Sequence, residues 1–130
     1  MGPDTTSALE DPFTWFAVIK GPEQSPFEGG TFRLKIQIPE EYPHVPPKVE
    51  FLTPLYHPNI SSNGDICLDI LEPAQWNECL TIQKVVLSVV SLMTDANPND
   101  PLCPDIGKLY LRDRKKYDAI ATEWTFKHAK

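Results

Sequence analysis

Fourteen prolines punctuate the chain, nine of them between Pro22 and Pro73 and six within residues 39–58. Each removes a backbone donor and biases the preceding residue away from helical geometry, so this stretch can be neither a long helix nor a run of central strands. Regular structure must lie to either side of it or in short pieces between prolines. Upstream, Phe13, Trp15 and, after Ala17, Ile19 alternate with Thr14, Phe16 and Val18. This aromatic and β-branched mixture predicts a strand that is apolar on both sides or nearly so. Gly21-Pro22 stops it. After a turn at residues 25–30, Phe32, Leu34, Ile36 and Ile38 alternate with Thr31, Arg33, Lys35 and Gln37, the period of a half-buried strand. Residues 48–53 give a third, shorter strand. Three consecutive strands with short connections imply an antiparallel meander.

From Pro54 to Cys79 there is turn punctuation and little periodicity, and an irregular stretch of this length inside one domain is usually functional. Beyond it, Ile82, Val85, Val86, Val89, Leu92 and Met93 mark one buried helix face, with Thr81 as the N-cap. Asp100-Pro101 predicts the start of a short helix reaching about Leu111. Asp113 precedes a last helix bearing Tyr117, Ile120, Ala121 and Trp124.

A length of 130 residues with 41% hydrophobic content favours a single domain with a real core. Residues 1–12 lack periodicity and read as a flexible leader, followed by a core over 13–130. The net charge is −6 and no run of Lys/Arg offers the electrostatic footprint a nucleic-acid groove needs, which argues against nucleic acid as a partner. The charge is uneven: residues 1–107 hold 5 basic and 15 acidic groups, and residues 108–130 hold 7 and 3. No stretch approaches the roughly 20 apolar residues of a membrane span, and Met1-Gly2-Pro3-Asp4 does not resemble a secretory signal. No membrane association is expected, and a cytoplasmic or nuclear location is. Three cysteines without a CxxC pair favour neither a disulfide framework nor a zinc site, so no metal and no cofactor is expected.

Each candidate group has a plain alternative. Cys67, within Gly64-Asp65-Ile66-Cys67-Leu68-Asp69-Ile70-Leu71, is either a reachable thiol or a small buried hydrophobe. The neighbouring acids would raise its pKa, which suits a thiol working by exchange on an incoming thioester better than a strongly activated nucleophile. His57 and Asn59 complete the inventory of a cysteine hydrolase, but a histidine followed by Pro58 more often braces backbone. Asn59 offers an amide that can stabilise an oxyanion, or it is simply a turn residue. Asp100 either caps a helix or orients an attacking amine. Trp76, in a polar loop, is a candidate surface anchor. Cys79 and Cys103 have no evident activators.

Taken together, His57-Pro58-Asn59-Ile60, then residues 64–71, then Trp76 and Leu80-Thr81-Ile82 resemble the active-site signature of the ubiquitin-conjugating enzymes. Flanking segments agree: Gly21-Pro22 with residues 25–30, Tyr42-Pro43 with Pro46-Pro47-Lys48-Val49, residues 97–101, and Glu123-Trp124-Thr125. The similarity is to compact ubiquitin-type members rather than to the SUMO-specific branch. It implies a mixed α/β (α+β) fold, a four-stranded antiparallel meander with helices on one face and at the C-terminal end, the fourth strand lying within 54–70. It implies that Cys67 accepts ubiquitin as a thioester from an activating enzyme, which consumes the ATP. Asn59 would stabilise the oxyanion, His57 would hold the turn, and Asp100 would orient the lysine of a protein substrate. A RING or HECT ubiquitin ligase would dock on the loop carrying Phe51 and on Trp76, Asn77, Glu78 and Cys79. Asn77-Glu78-Cys79 replaces the family's small residues and proline, and the family's N-terminal helix has no counterpart in residues 1–12, so the core is expected to be N-terminally truncated. Two other classes stand beside the transferase: a cysteine hydrolase using Cys67, His57 and Asn59, and a binding module of the same fold that is not charged.

Overall fold

The computed structural model describes residues 13–130. The leader expected over residues 1–12 lies outside the described residues. The three strands are β1 (Thr14–Lys20), β2 (Thr31–Gln37) and β3 (Lys48–Phe51). They form one antiparallel sheet in the order β1-β2-β3, with Ala17 opposite Leu34 and Leu34 opposite Phe51. Alternation decides the faces. Phe32, Leu34 and Ile36 are fully buried, while the alternating Arg33 and Gln37 are exposed. On the outer face Lys35 and Glu50 sit opposite each other and pair at 3.9 Å. β1 is less two-sided than its composition predicts: Ala17 and Ile19 are buried, whereas Val18 is 59% exposed.

The helices are α1 (Ile82–Thr94), α2 (Pro104–Arg112) and α3 (Arg114–His128). α1 starts where its cap predicts, with Thr81 Oγ1 accepting the Lys84 amide at 3.1 Å. Its buried residues Val85, Val89, Leu92 and Met93 join the inward residues of all three strands in one core cluster. Each such side chain taken fully out of water contributes about 1.5–3 kcal/mol. α3 is capped by Asp113, which accepts the Lys116 amide at 3.1 Å, and it buries Tyr117, Ala121 and Thr125 at a spacing of four. The Tyr117 hydroxyl donates to the Tyr56 carbonyl at 3.1 Å, and the Thr31 amide donates to the Ala129 carbonyl at 2.8 Å. These two bonds tie α3 to the irregular region and to the start of β2.

Two expectations about elements need correction. The fourth strand within 54–70 is absent as a strand among the described residues. Only isolated bridges occur there, Glu50 with Asp65, His57 with Ile60, and Ile60 with Ile66. Pro54 and Pro58 lack ladder donors, and Gly64 turns the chain at φ +90°, so no continuous pairing develops. The second correction concerns α2, which begins at Pro104 with Cys103 as N-cap rather than at Asp100-Pro101. The amides of Leu102 and Cys103 both donate to the Pro58 carbonyl, at 2.9 and 3.0 Å. That contact holds the 98–103 segment against the 57–60 turn instead of letting it coil.

Candidate active site

The irregular region is ordered by its own hydrogen bonds. Gly64 lies so close to β3 that an added Cβ would fall 2.0 Å from the Phe51 carbonyl oxygen, and its positive φ is one that other residues rarely adopt. The Phe51 amide donates to the Gly64 carbonyl at 2.8 Å, fixing the turn that delivers Asp65, Ile66 and Cys67. The Cys67 amide then donates to the Asn59 carbonyl at 2.9 Å, so the two segments of the sequence signature run side by side.

His57 is fully buried and both ring nitrogens are engaged. Nε2 lies 2.7 Å from the Leu92 carbonyl, and the Asn59 amide donates to Nδ1 at 3.0 Å. One neutral tautomer, with the proton on Nε2, satisfies both contacts. Burial lowers its pKa to about 4, against the raising effect of the backbone carbonyls around it. No nitrogen is left for the thiol, which removes the geometric basis for His57 as the base of a hydrolase. The carboxamide of Asn59, 1% exposed, faces the 97–100 loop. Its Oδ1 accepts the Asn97 amide at 2.7 Å, and Nδ2 donates to the carbonyls of Asn97 (2.9 Å) and Asp100 (3.3 Å). In this arrangement Asn59 holds the loop that carries Asp100.

Cys67 is a free, partly exposed thiol on a cavity of about 350 Å³ whose walls include Asn59, Asp69, Glu72, Leu92 and Asp100. Burial first, and then the carboxylates of Asp100, Glu72 and Asp69, push its pKa above the ordinary thiol value. The direction matches that expected from neighbouring acids. Asp69 opens a short 3-10 turn, Asp69–Leu71, just past the cysteine and Glu72 caps its end, whereas Asp100 comes from the segment that precedes α2. Among the described residues no group of three or more His, Cys, Asp or Glu side chains is arranged to hold a metal ion, and no helix is long and apolar enough to cross a membrane.

The expected docking surface is partly redrawn. Phe51 is 4% exposed and packs edge-on against Phe32, so its side chain is core and not surface. The surface beside Trp76 is instead the 42–45 segment between β2 and β3. Trp76 Nε1 donates to the Pro43 carbonyl at 2.7 Å, and the Tyr42 and Trp76 rings lie 6.3 Å apart. His44 Nδ1 meets Glu78 Oε2 at 2.7 Å. Asn77 Oδ1 accepts the Cys79 amide at 2.8 Å, and Asn77, Glu78 and Cys79 are all exposed. Sequence reasoning passed over His44, Asn97 and the carboxylate of Glu72. The prolines around His44 marked a loop without indicating its partner, and Asn97 acts through its backbone, which no residue type reveals.

A strand meander, a crossing helix and a thiol bracketed by a buried histidine turn define a class that known proteins share. A family model described as ubiquitin-conjugating enzyme matches residues 3–125. The chain belongs to that family. It is similar to the E2 domain of a Toxoplasma gondii ubiquitin conjugating enzyme, at 41% identity and TM-score 0.87, covering 92% of this chain and 83% of that one. It is also similar to a structure described as a ubiquitin conjugating enzyme from Plasmodium yoelii, at 43% identity and TM-score 0.86, covering 92% of this chain and 77% of that one.

Proposed function

We propose that the chain carries ubiquitin as a thioester on Cys67, receiving it from an ATP-consuming activating enzyme and passing it to a lysine of a protein substrate. The observation that supports this is the free, partly exposed thiol of Cys67 on a cavity of about 350 Å³ that Asn59 and Asp100 also line. In the loading step the Cys67 sulfur bonds to the carbonyl carbon of the incoming thioester, and the activating enzyme's thiol leaves with a proton. In the transfer step a neutral lysine amine attacks that carbon. The C–N bond forms, the C–S bond breaks, the amine's surplus proton leaves by way of Asp100, and the departing sulfur takes up one proton from solvent, so none is gained or lost overall.

A raised thiol pKa does not block loading, because the incoming thioester supplies the driving force, but it makes the Cys67 thiolate a slower leaving group in the transfer step. Transfer then depends on positioning an unprotonated amine. Asn59 acts here chiefly by fixing the loop of Asp100, and its Nδ2 reaches a developing oxyanion only by exchanging its contact with the Asn97 or Asp100 carbonyl. The surface of Tyr42, His44, Trp76, Asn77, Glu78 and Cys79 is the proposed dock for a RING or HECT ligase.

Incubation with ubiquitin, ATP and an activating enzyme tests the reading. A thiol-sensitive adduct that disappears in Cys67→Ala is expected. Labelling of Cys67 by electrophilic acyl substrates without any adduct would favour a hydrolase, and neither result would leave a binding module.

A further inference from the structure

We infer that His44 and Glu78 form the recognition centre of the surface beside Trp76, and that this centre fits a RING domain whose anchoring side chain donates hydrogen bonds, arginine above all, rather than an aliphatic one. This rests on the reading of that surface as a ligase dock and adds the chemistry of the partner. The two segments that build it, 39–47 and 72–80, are fastened to each other. Within each, the hydrogen bonds among the described residues are local: Tyr42, His44 and Val45 donate to the carbonyls of Pro39 and Glu41, and Gln75, Trp76 and Leu80 to those of Glu72 and Asn77. Two bonds cross between them, Trp76 Nε1 to the Pro43 carbonyl and His44 Nδ1 to Glu78 Oε2, both at 2.7 Å. The first belongs to the half-buried Trp76, which packs against the core cluster. The second joins two exposed side chains and faces water.

This second contact determines which atoms a partner meets. The His44 Nδ1–H donates to the carboxylate, so in the neutral ring Nε2 is a bare acceptor. Glu78 Oε1, with no hydrogen bond among the described residues, is another. The donors closest in sequence are turned inward, the Cys79 amide to Asn77 Oδ1 and the Trp76 indole to Pro43. An aliphatic anchor laid here strips water from two acceptors and returns no bond. A guanidinium supplies N–H groups to them, and its charge meets the carboxylate. An acidic anchor is repelled. Because the segments are already joined, the acceptors stand in place before the partner arrives, and binding carries little ordering cost.

The test measures binding of the full chain to a panel of RING domains, each in versions carrying Arg, Leu or Glu at the residue that contacts His44 and Glu78. Titrations followed by the NMR signal of the Trp76 indole N–H give the affinities. The Arg versions should bind about tenfold more tightly than the Leu versions, and the Glu versions most weakly. Making the centre apolar, with His44→Phe and Glu78→Ala together, should reverse the order so that the Leu versions bind best. Equal binding of Arg and Leu versions to the wild type, or an Arg preference that persists in the double variant, overturns the inference. No binding by any version overturns the dock as well. None of these readouts uses the thioester, so failure of Cys67 to load would overturn the carrier reading alone.

Discussion

Asn59 and Asn97 are joined twice, the side chain of the first bonding both the amide and the carbonyl of the second. Together with the contact to the Asp100 carbonyl, this makes one buried carboxamide the fastener of an entire wall of the cavity. Asn59→Ala should cost about 2 kcal/mol, because the bonds its buried carboxamide makes to the loop are lost. Asn59→Asp should be worse, since it sets a carboxylate against two carbonyl oxygens. Hydrogen exchange at the Asn97 amide, measured beside chemical denaturation, checks this. Unchanged protection in both variants would refute the fastener role.

The buried histidine predicts an acid limit. Folded His57 takes up its proton at about 4 and the ordinary value is 6.5, so as pH falls the unfolded chain is protonated first. Its contribution is complete above about pH 6.5 and is lost as pH drops toward 4, to a total of about 3 kcal/mol. Protonation would also turn Nδ1 into a donor facing the Asn59 amide donor. Melting temperatures from neutral to acid pH should fall more steeply for the wild type than for His57→Gln. Parallel profiles would count against it.

Burial first, and then the carboxylates, Asp100 the largest of them, push the Cys67 thiol pKa up. Asp100→Asn should therefore speed alkylation of Cys67 at mildly alkaline pH by about twofold at low salt, and less at high salt. Mass spectrometry of the Cys67 peptide gives the rate. A slower rate in the variant would contradict the electrostatic account.

Gly64 allows the closest backbone approach in the active-site region. Gly64→Ala must move either the turn or the end of β3, at a cost of about 2 kcal/mol or more. A urea midpoint equal to that of the wild type would show that the turn relaxes freely.

The fold was legible wherever one period dominated. The β2 alternation and the α1 face each name their buried residues, and Thr81 and Asp113 cap where their chemistry predicts. It was not legible where long-range bonds override local preference. Asp100-Pro101 has the form of a helix start, yet the Pro58 carbonyl captures the amides of Leu102 and Cys103 and delays α2 to Pro104. Phe51 lies beside a loop in sequence but is the last inward residue of β3, so its ring goes to the core. In the site, Cys67, His57, Asn59 and Asp100 were nameable from the signature, and the structure puts Cys67, Asn59 and Asp100 on one cavity, with His57 bonded behind Asn59. The direction of the Asn59 amide depends on a backbone 38 residues away and has no local signal.

Leu92 serves both sides of this arrangement: its carbonyl holds His57, and its side chain lies in the cavity wall. Substitutions near the end of α1 will therefore disturb the frame and the chamber together, whereas exchanges at the exposed lip leave the frame alone. Descendants of this chain should find it easy to vary the exposed lip and hard to rebuild the frame beneath.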